Sequence, residues 1–355
     1  MCQKKLRSAL VLLALVVSLG VLVVLTGACQ KETKPVADLT PYPLQIPLGL
    51  GKGYAKWIPA DNPLTTARVE LGKKLYFDPR LSADGSVSCA RCHKPEHGFA
   101  DDTAFSDGVK GQLGDRNSPT VLNRLYSKAQ FWDGRAASLE AQALGPVQNP
   151  VEMASTLPAM ISALDKIAGY KPDFEKAFGS AEITADRVAK AIASFERTVL
   201  SGNSAFDRFQ AGDTNAISES AKRGFAVFMA KGNCAQCHPL PNFTDEEYHN
   251  LGVGMNKPNP DLGRYKVTKN EEDKGAFKTP TLRDIANTYP YLHDGSEKTL
   301  LAVVEFYDRG GIRNPHLEEK MKPLELTKKE QADLVEFLKT LTGEPLKVTE
   351  PALPK

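Results

Sequence analysis

Leu71-Gly72-Lys73-Lys74-Leu75-Tyr76-Phe77 followed by Cys89-Ala90-Arg91-Cys92-His93 decides the reading of this chain, because the same order of elements returns further on. The second copy runs Lys222-Arg223-Gly224-Phe225-Ala226-Val227-Phe228 and then Cys234-Ala235-Gln236-Cys237-His238. Behind each comes a Pro-Thr block, Ser118-Pro119-Thr120-Val121-Leu122 in the first unit and Thr279-Pro280-Thr281-Leu282 in the second. Each unit then closes on a ring-Asp-Gly triplet, Trp132-Asp133-Gly134 and His293-Asp294-Gly295. A repeat of this kind implies two related domains in tandem, with their boundary near Ser201-Gly202-Asn203. A single CxxCH can bind zinc or arise by chance. Two, at matching points of a repeat, point to covalent haem c: each cysteine adds across a haem vinyl group and the histidine ligates the iron from the proximal side. Cys89, Cys92, Cys234 and Cys237 are therefore expected to carry two haems, with His93 and His238 as proximal ligands.

Most of the chain reads as helix. Thr184 to Leu200 opens on a capping threonine, has Asp186 in its first turn, and repeats Val188, Ile192, Phe195 and Val199 at helical spacing. Thr327 to Leu341 follows the same pattern, with Gly343 as a stop. Period-two strand signals are scarce, so the expected class is mainly α, two tandem cytochrome c-like domains. The expected division is an export signal over 1–28, a Pro- and Gly-rich tether over 29–60, a first haem domain over 61–200, a second over 201–345, and a tail over 346–355.

The N-terminus carries Lys4, Lys5 and Arg7, then an apolar run from Leu10 to Leu25, then Thr26-Gly27-Ala28-Cys29. That pattern is an export signal. Its end resembles a lipobox, with Thr26 where Leu is usual and Cys29 as the lipidated residue; an uncleaved membrane anchor is the alternative. Either places the haem domains in the periplasm or on the outer face of the cell envelope, with the membrane touched only through this end. Of 6 cysteines, Cys2 falls in the signal, Cys29 in the lipobox and the rest in CxxCH motifs, so no disulfide is expected. Formal net charge is +2 across 355 residues, with no basic block to suggest nucleic acid.

The residue on the far side of each iron decides what that iron does: closed by protein on both faces it only transfers electrons, and open it can bind peroxide. Trp132 and His293 correspond in the repeat, and fourteen residues beyond each stand Pro146 and Tyr307. Proline offers no ligand, so the first iron is expected to stay open; a tyrosine phenolate can close the second. A lone tyrosine in Val304-Glu305-Phe306-Tyr307 is otherwise most often a core residue, and Met255 and Met321 are the fallback ligands.

Further blocks now carry a resemblance: Asp115-Arg116-Asn117-Ser118-Pro119-Thr120, Phe131-Trp132-Asp133-Gly134-Arg135, Gly145-Pro146 through Pro150-Val151-Glu152-Met153, Pro280-Thr281-Leu282-Arg283, Pro290-Tyr291-Leu292-His293-Asp294-Gly295 and Glu305-Phe306-Tyr307. From about Pro63 to Leu341 the chain resembles the bacterial diheme cytochrome c peroxidase family. The resemblance implies that Glu152 is the distal acid–base residue at the first haem, that Gln142 is its hydrogen-bonding partner, and that Trp132 lies between the haems for electron transfer. It also implies a calcium ion between the domains, held by Asn117 and the carbonyls of Thr288 and Pro290, all oxygen donors as calcium prefers. Two positions depart from the reductively activated members. Val109 stands where their loop supplies a blocking histidine, and Tyr307 where they have methionine. Both departures resemble the MauG-like branch, in which the haems share oxidising equivalents. Of the other histidines, His97 is expected at the surface or near a propionate, His249 and His316 as solvated or structural, and His293 against haem or the domain interface.

The expected function is peroxide reduction with two electrons from a small cytochrome c or cupredoxin, the first haem being open without prior reduction. One alternative is oxidation of side chains on a partner protein. The other is a diheme electron carrier with both irons closed, against which Val109 and Pro146 argue.

Overall fold

The computed structural model describes residues 36–344 and 346–355. The export signal, Cys29 and the start of the expected tether lie outside these residues. No helix among the described residues is long and apolar enough to cross a membrane.

The first half holds α1 (Thr66–Phe77), α2 (Cys89–Cys92), α3 (Leu139–Gln148), α4 (Leu157–Asp165), α5 (Tyr170–Phe178) and α6 (Ala185–Glu196). The second holds α7 (Ala205–Gln210), α8 (Glu219–Met229), α9 (Tyr265–Thr268), α10 (Leu300–Asp308) and α11 (Lys328–Lys339). The only named strands among the described residues, β1 (Tyr248–His249) and β2 (Phe277–Lys278), form one antiparallel pair. The mainly helical, two-domain reading therefore holds.

Local sequence explains the helix starts. The Thr184 hydroxyl accepts from the Arg187 N–H ahead of α6. Thr327 and Glu330 form a reciprocal capping box on α11. In each half, two long helices cross at a glycine. A Cβ on Gly72 of α1 would meet the Ala191 carbonyl of α6 at 1.8 Å, and one on Gly224 of α8 would meet the Asp333 carbonyl of α11 at 1.9 Å. Phe195 and Phe337 close the two crossings at matching positions. A third helix, α3 on α6 and α10 on α11, completes each triplet. The repeat extends to the backbone, with Phe131 and Leu292 both at positive φ (68° and 70°) just before Trp132 and His293.

One apolar core gathers residues from Ala67 to Ile192 and another from Phe206 to Leu341. The halves are joined by Arg116, whose guanidinium lies 2.7 Å from Asp133 and 2.6 Å from Asp261. The tether expectation needs correction: the chain is docked well before residue 60. Leu44, Ile46, Tyr54, Trp57 and Ile58 pack around Leu50, Leu125 and Leu200. The Gly49 carbonyl accepts from Arg283, itself paired with Asp207. Apolar side chains interleaved with prolines and glycines bury despite a linker-like composition. The last residues dock too, with Leu346 and Val348 against the cluster around Tyr76 and Phe99.

Two candidate haem sites

Each CxxCH forms one tight turn: the His93 N–H donates to the Cys89 carbonyl and the His238 N–H to the Cys234 carbonyl, both at 2.9 Å. Each turn opens onto a cavity. The first, about 590 Å³, is lined by Cys89, Cys92 and His93; the second, about 210 Å³, by Cys234, Cys237 and His238. None of these four cysteines forms a disulfide.

These residues fit a c-type haem. The His238 Nδ1 lies 2.8 Å from the Phe243 carbonyl, so it must be the protonated nitrogen, which leaves the Nε2 lone pair for iron. Burial lowers the pKa of both His93 and His238, which keeps them neutral as ligation requires.

Above the first site, Ser138 caps α3 and Pro146 lies eight residues beyond the cap. Thr299 caps α10 in the same way, and Tyr307 lies eight residues beyond it. Pro146 lines the first cavity and Tyr307 the second. Burial pushes the Tyr307 hydroxyl well above its ordinary pKa. That hydroxyl has no hydrogen-bond partner among the described residues, unlike the Tyr76 hydroxyl, which donates to the His93 carbonyl at 2.8 Å. A bound iron favours the phenolate that burial alone opposes. Of the fallback ligands, Met321 lines the second cavity, whereas the Met255 sulfur is packed near Gly275.

Glu152 and Gln142 both line the first cavity. Burial raises the Glu152 pKa, opposed by a hydrogen bond from Asn149 Nδ2 to Oε1 at 2.7 Å. The Gln142 amide has no side-chain partner among the described residues, so it is available to a ligand. Val109 is buried at 3% exposure in the apolar core of the first half, and His93 is the one histidine among this cavity's described lining residues. The loop carrying Val109 is fixed to the Glu152 turn: the Val109 N–H donates to the Glu152 carbonyl at 2.8 Å, and a Cβ on Gly108 would meet the Val151 carbonyl at 1.9 Å.

Trp132 lines both cavities. Its Nε1–H donates to the Asn117 carbonyl at 2.8 Å, and its ring stands edge-on to His293 at 6.5 Å. His293 stacks on Phe277 at 3.6 Å, and burial lowers its pKa to about 4. Asn117, Thr288 and Pro290 all line the second cavity, and Asn117 Nδ2 donates to the Thr103 carbonyl at 3.1 Å.

His249 is closer to the chemistry than its sequence suggests. It lines the second cavity with Nε2 at 2.9 Å from Asp245 and Nδ1 at 2.6 Å from Glu318. Its contacts with Asp245 and Glu318 hold its pKa well above the ordinary histidine value. Sequence reasoning also passed over Asn149, Arg124, Lys278 and Glu196, which line the first cavity. For Glu196 a signal existed: it stands four residues after Ile192, on the apolar stripe of α6, where a carboxylate is out of place.

Residues 66–215 match the family model described as di-haem cytochrome c peroxidase, and residues 221–342 match cytochrome c. The chain is 46% identical to the methylamine utilization protein MauG of Methylorubrum extorquens, over 83% of this chain and 84% of that protein. It is 43% identical to cytochrome c551 peroxidase of Nitrosomonas europaea, over 84% of this chain and 86% of that one. Among solved structures, a MauG-like protein associated with microbial copper homeostasis superimposes with TM-score 0.75 at 30% identity, covering 83% of this chain and 96% of the other.

Proposed function

Because the chain belongs to the di-haem cytochrome c peroxidase family, which holds both MauG proteins and cytochrome c peroxidases, we propose that it reduces hydrogen peroxide at the first site and relays electrons through the second. The reaction takes two electrons and two protons per peroxide and releases two waters; a small cytochrome c or cupredoxin supplies the electrons. When bound, the two haems supply iron that accepts oxidising equivalents and exchanges electrons.

The protein does the rest. Glu152 takes the proton from one peroxide oxygen and returns it to the departing one. Its burial suits this, since a raised pKa lets the carboxyl hold a proton that an exposed glutamate would lose. Asn149 fixes the carboxylate, and Gln142 offers its amide to the bound peroxide. Pro146 presents no ligand, so the position beside Glu152 stays open. Trp132, lining both cavities, is the path between the sites.

The observation that carries this reading is the set of Glu152, Gln142 and Pro146 around a cavity whose one described histidine is His93. Mixing diferric protein with hydrogen peroxide and following the Soret band tests it. The expected result is a rapid change without prior reduction; no change sinks the preactivated reading.

A second reading, oxidation of side chains on a partner protein, is favoured by Tyr307 at the second cavity and by the MauG relatives. Steady-state assays separate the two: sustained turnover with reduced cytochrome c or cupredoxin supports peroxide removal, and peroxide use that stalls without a protein substrate supports the second. The reading also places the domains outside the cytoplasm, tethered at Cys29, on the basic, apolar and small-residue order of the N-terminus; the mass of the mature N-terminal peptide tests that. A calcium ion at Asn117, Thr288 and Pro290 belongs to the same proposal, and chelation followed by thermal unfolding tests it.

A further inference from the structure

We propose that Glu196, Arg124 and Lys278 form the seat of the haem propionates, and that the single ammonium of Lys278 serves both haems. Three buried side-chain atoms among the described residues lack a hydrogen-bond partner: His93 Nδ1, Arg124 Nε and Glu196 Oε2. All three belong to residues lining the first cavity. Buried polar groups in folded proteins are almost always partnered. An orphaned N–H and an orphaned carboxyl oxygen on the wall of one cavity call for a ligand that accepts from both. A carboxylate does so, taking the Arg124 N–H on one oxygen and the proton of a neutral Glu196 on the other.

The charges point the same way. Glu246 Oε1 lies 3.0 Å from Arg124 Nη2, and its Oε2 lies 3.5 Å from Lys278 Nζ. The Glu246 carboxylate thus faces two cations, buried Lys278 and partly buried Arg124, with Asp245 also acting on Lys278, and a further anion suits the pair. Arg197, next to Glu196 in sequence, is paired with Glu140 at 2.7 Å. Burial raises Glu196 to about 8 and, with Arg124, lowers Lys278 to about 7. A carboxylate between them lifts Lys278 again and keeps Glu196 protonated.

Lys278 lines both cavities at 5% exposure, and its backbone N–H donates to the Trp132 carbonyl at 2.7 Å. Its charge therefore stands at the junction of the two sites, beside the indole that also lines both. A fixed positive charge there favours ferrous over ferric iron at each haem and ties the two potentials to one residue.

The inference rests on haem attachment but not on the peroxidase reading, so it is tested without peroxide. Spectroelectrochemical titration of Lys278→Met holoprotein should show the ferrous–ferric balance of both haems displaced toward ferric by about tenfold, equivalent to ~59 mV for one electron. Lys278→Arg should restore both midpoints, and Arg124→Gln should lower only that of the first haem. Unchanged midpoints in Lys278→Met with both haems attached, or movement at one haem alone, overturns the proposal. Should Lys278→Met fail to take up haem, a wild-type first midpoint in Arg124→Gln overturns it equally.

Discussion

The two cavities are built on the same plan and end in different linings. Each has a CxxCH turn, a helix triplet crossed at a glycine, and a capped third helix whose eighth residue beyond the cap lines the cavity. Yet the first holds about 590 Å³ and includes Glu152, Gln142 and Asn149, while the second holds about 210 Å³ and includes Val303, Val304, Leu324 and Leu326 around Tyr307. The shared framework sets the CxxCH turn, with His93 or His238 at its end, on the wall of each cavity. One position on the third helix, with the carboxylate and amides of the wall beside it in the first cavity, separates the two pockets.

The largest expected effect breaks the first cavity alone. On the proposed reaction Glu152→Gln removes the proton carrier and should cut peroxide turnover by about 10²–10⁴-fold, leaving the second haem's spectrum as in the wild type. Turnover within a few-fold of wild type would remove Glu152 from the acid–base role.

The shared framework is tested at the matched glycines. Gly72→Ala and Gly224→Ala each drive a methyl into a facing carbonyl, at 1.8 Å and 1.9 Å before relaxation. Each should cost about 1–3 kcal/mol, read from denaturant unfolding of the holoprotein. A clear loss at one site only would mean that the crossings are not equivalent.

A smaller effect sharpens the polar wall. The Asn149 hydrogen bond stabilises ionised Glu152 against the burial that raises its pKa. Asn149→Ala should raise that pKa further. Glu152 must be ionised to accept the peroxide proton, so the acid limb of the pH profile of kcat/KM should move to higher pH. An unmoved limb, or one moving to lower pH, contradicts this positioning role.

What was legible in the sequence was local or repeated. The CxxCH turns, the caps at Thr184 and Thr327, and the Pro146–Tyr307 correspondence all follow from short-range spacing within two similar units. What was not legible depends on contacts between distant segments. Residues 42–58 resemble a linker until Leu125 and Leu200 provide a surface to bury against. Val109 was expected from resemblance to leave the first iron open, but its attachment to the Glu152 turn requires the loop's actual path. Lys278 and His249 look like ordinary surface residues in sequence, and only the β1–β2 pairing and the loops around it bring them to the cavities. Glu196 lay between these cases, visible as a carboxylate on an apolar stripe, with nothing local to say what it faces.

Electron paramagnetic resonance of the diferric protein, compared with Tyr307→Phe, tests the central asymmetry most directly. The expected result is one high-spin signal from the first haem, unchanged by the substitution, and one low-spin signal from the second that the substitution alters. Two low-spin haems in the native protein, or a low-spin signal indifferent to loss of the Tyr307 hydroxyl, would contradict it.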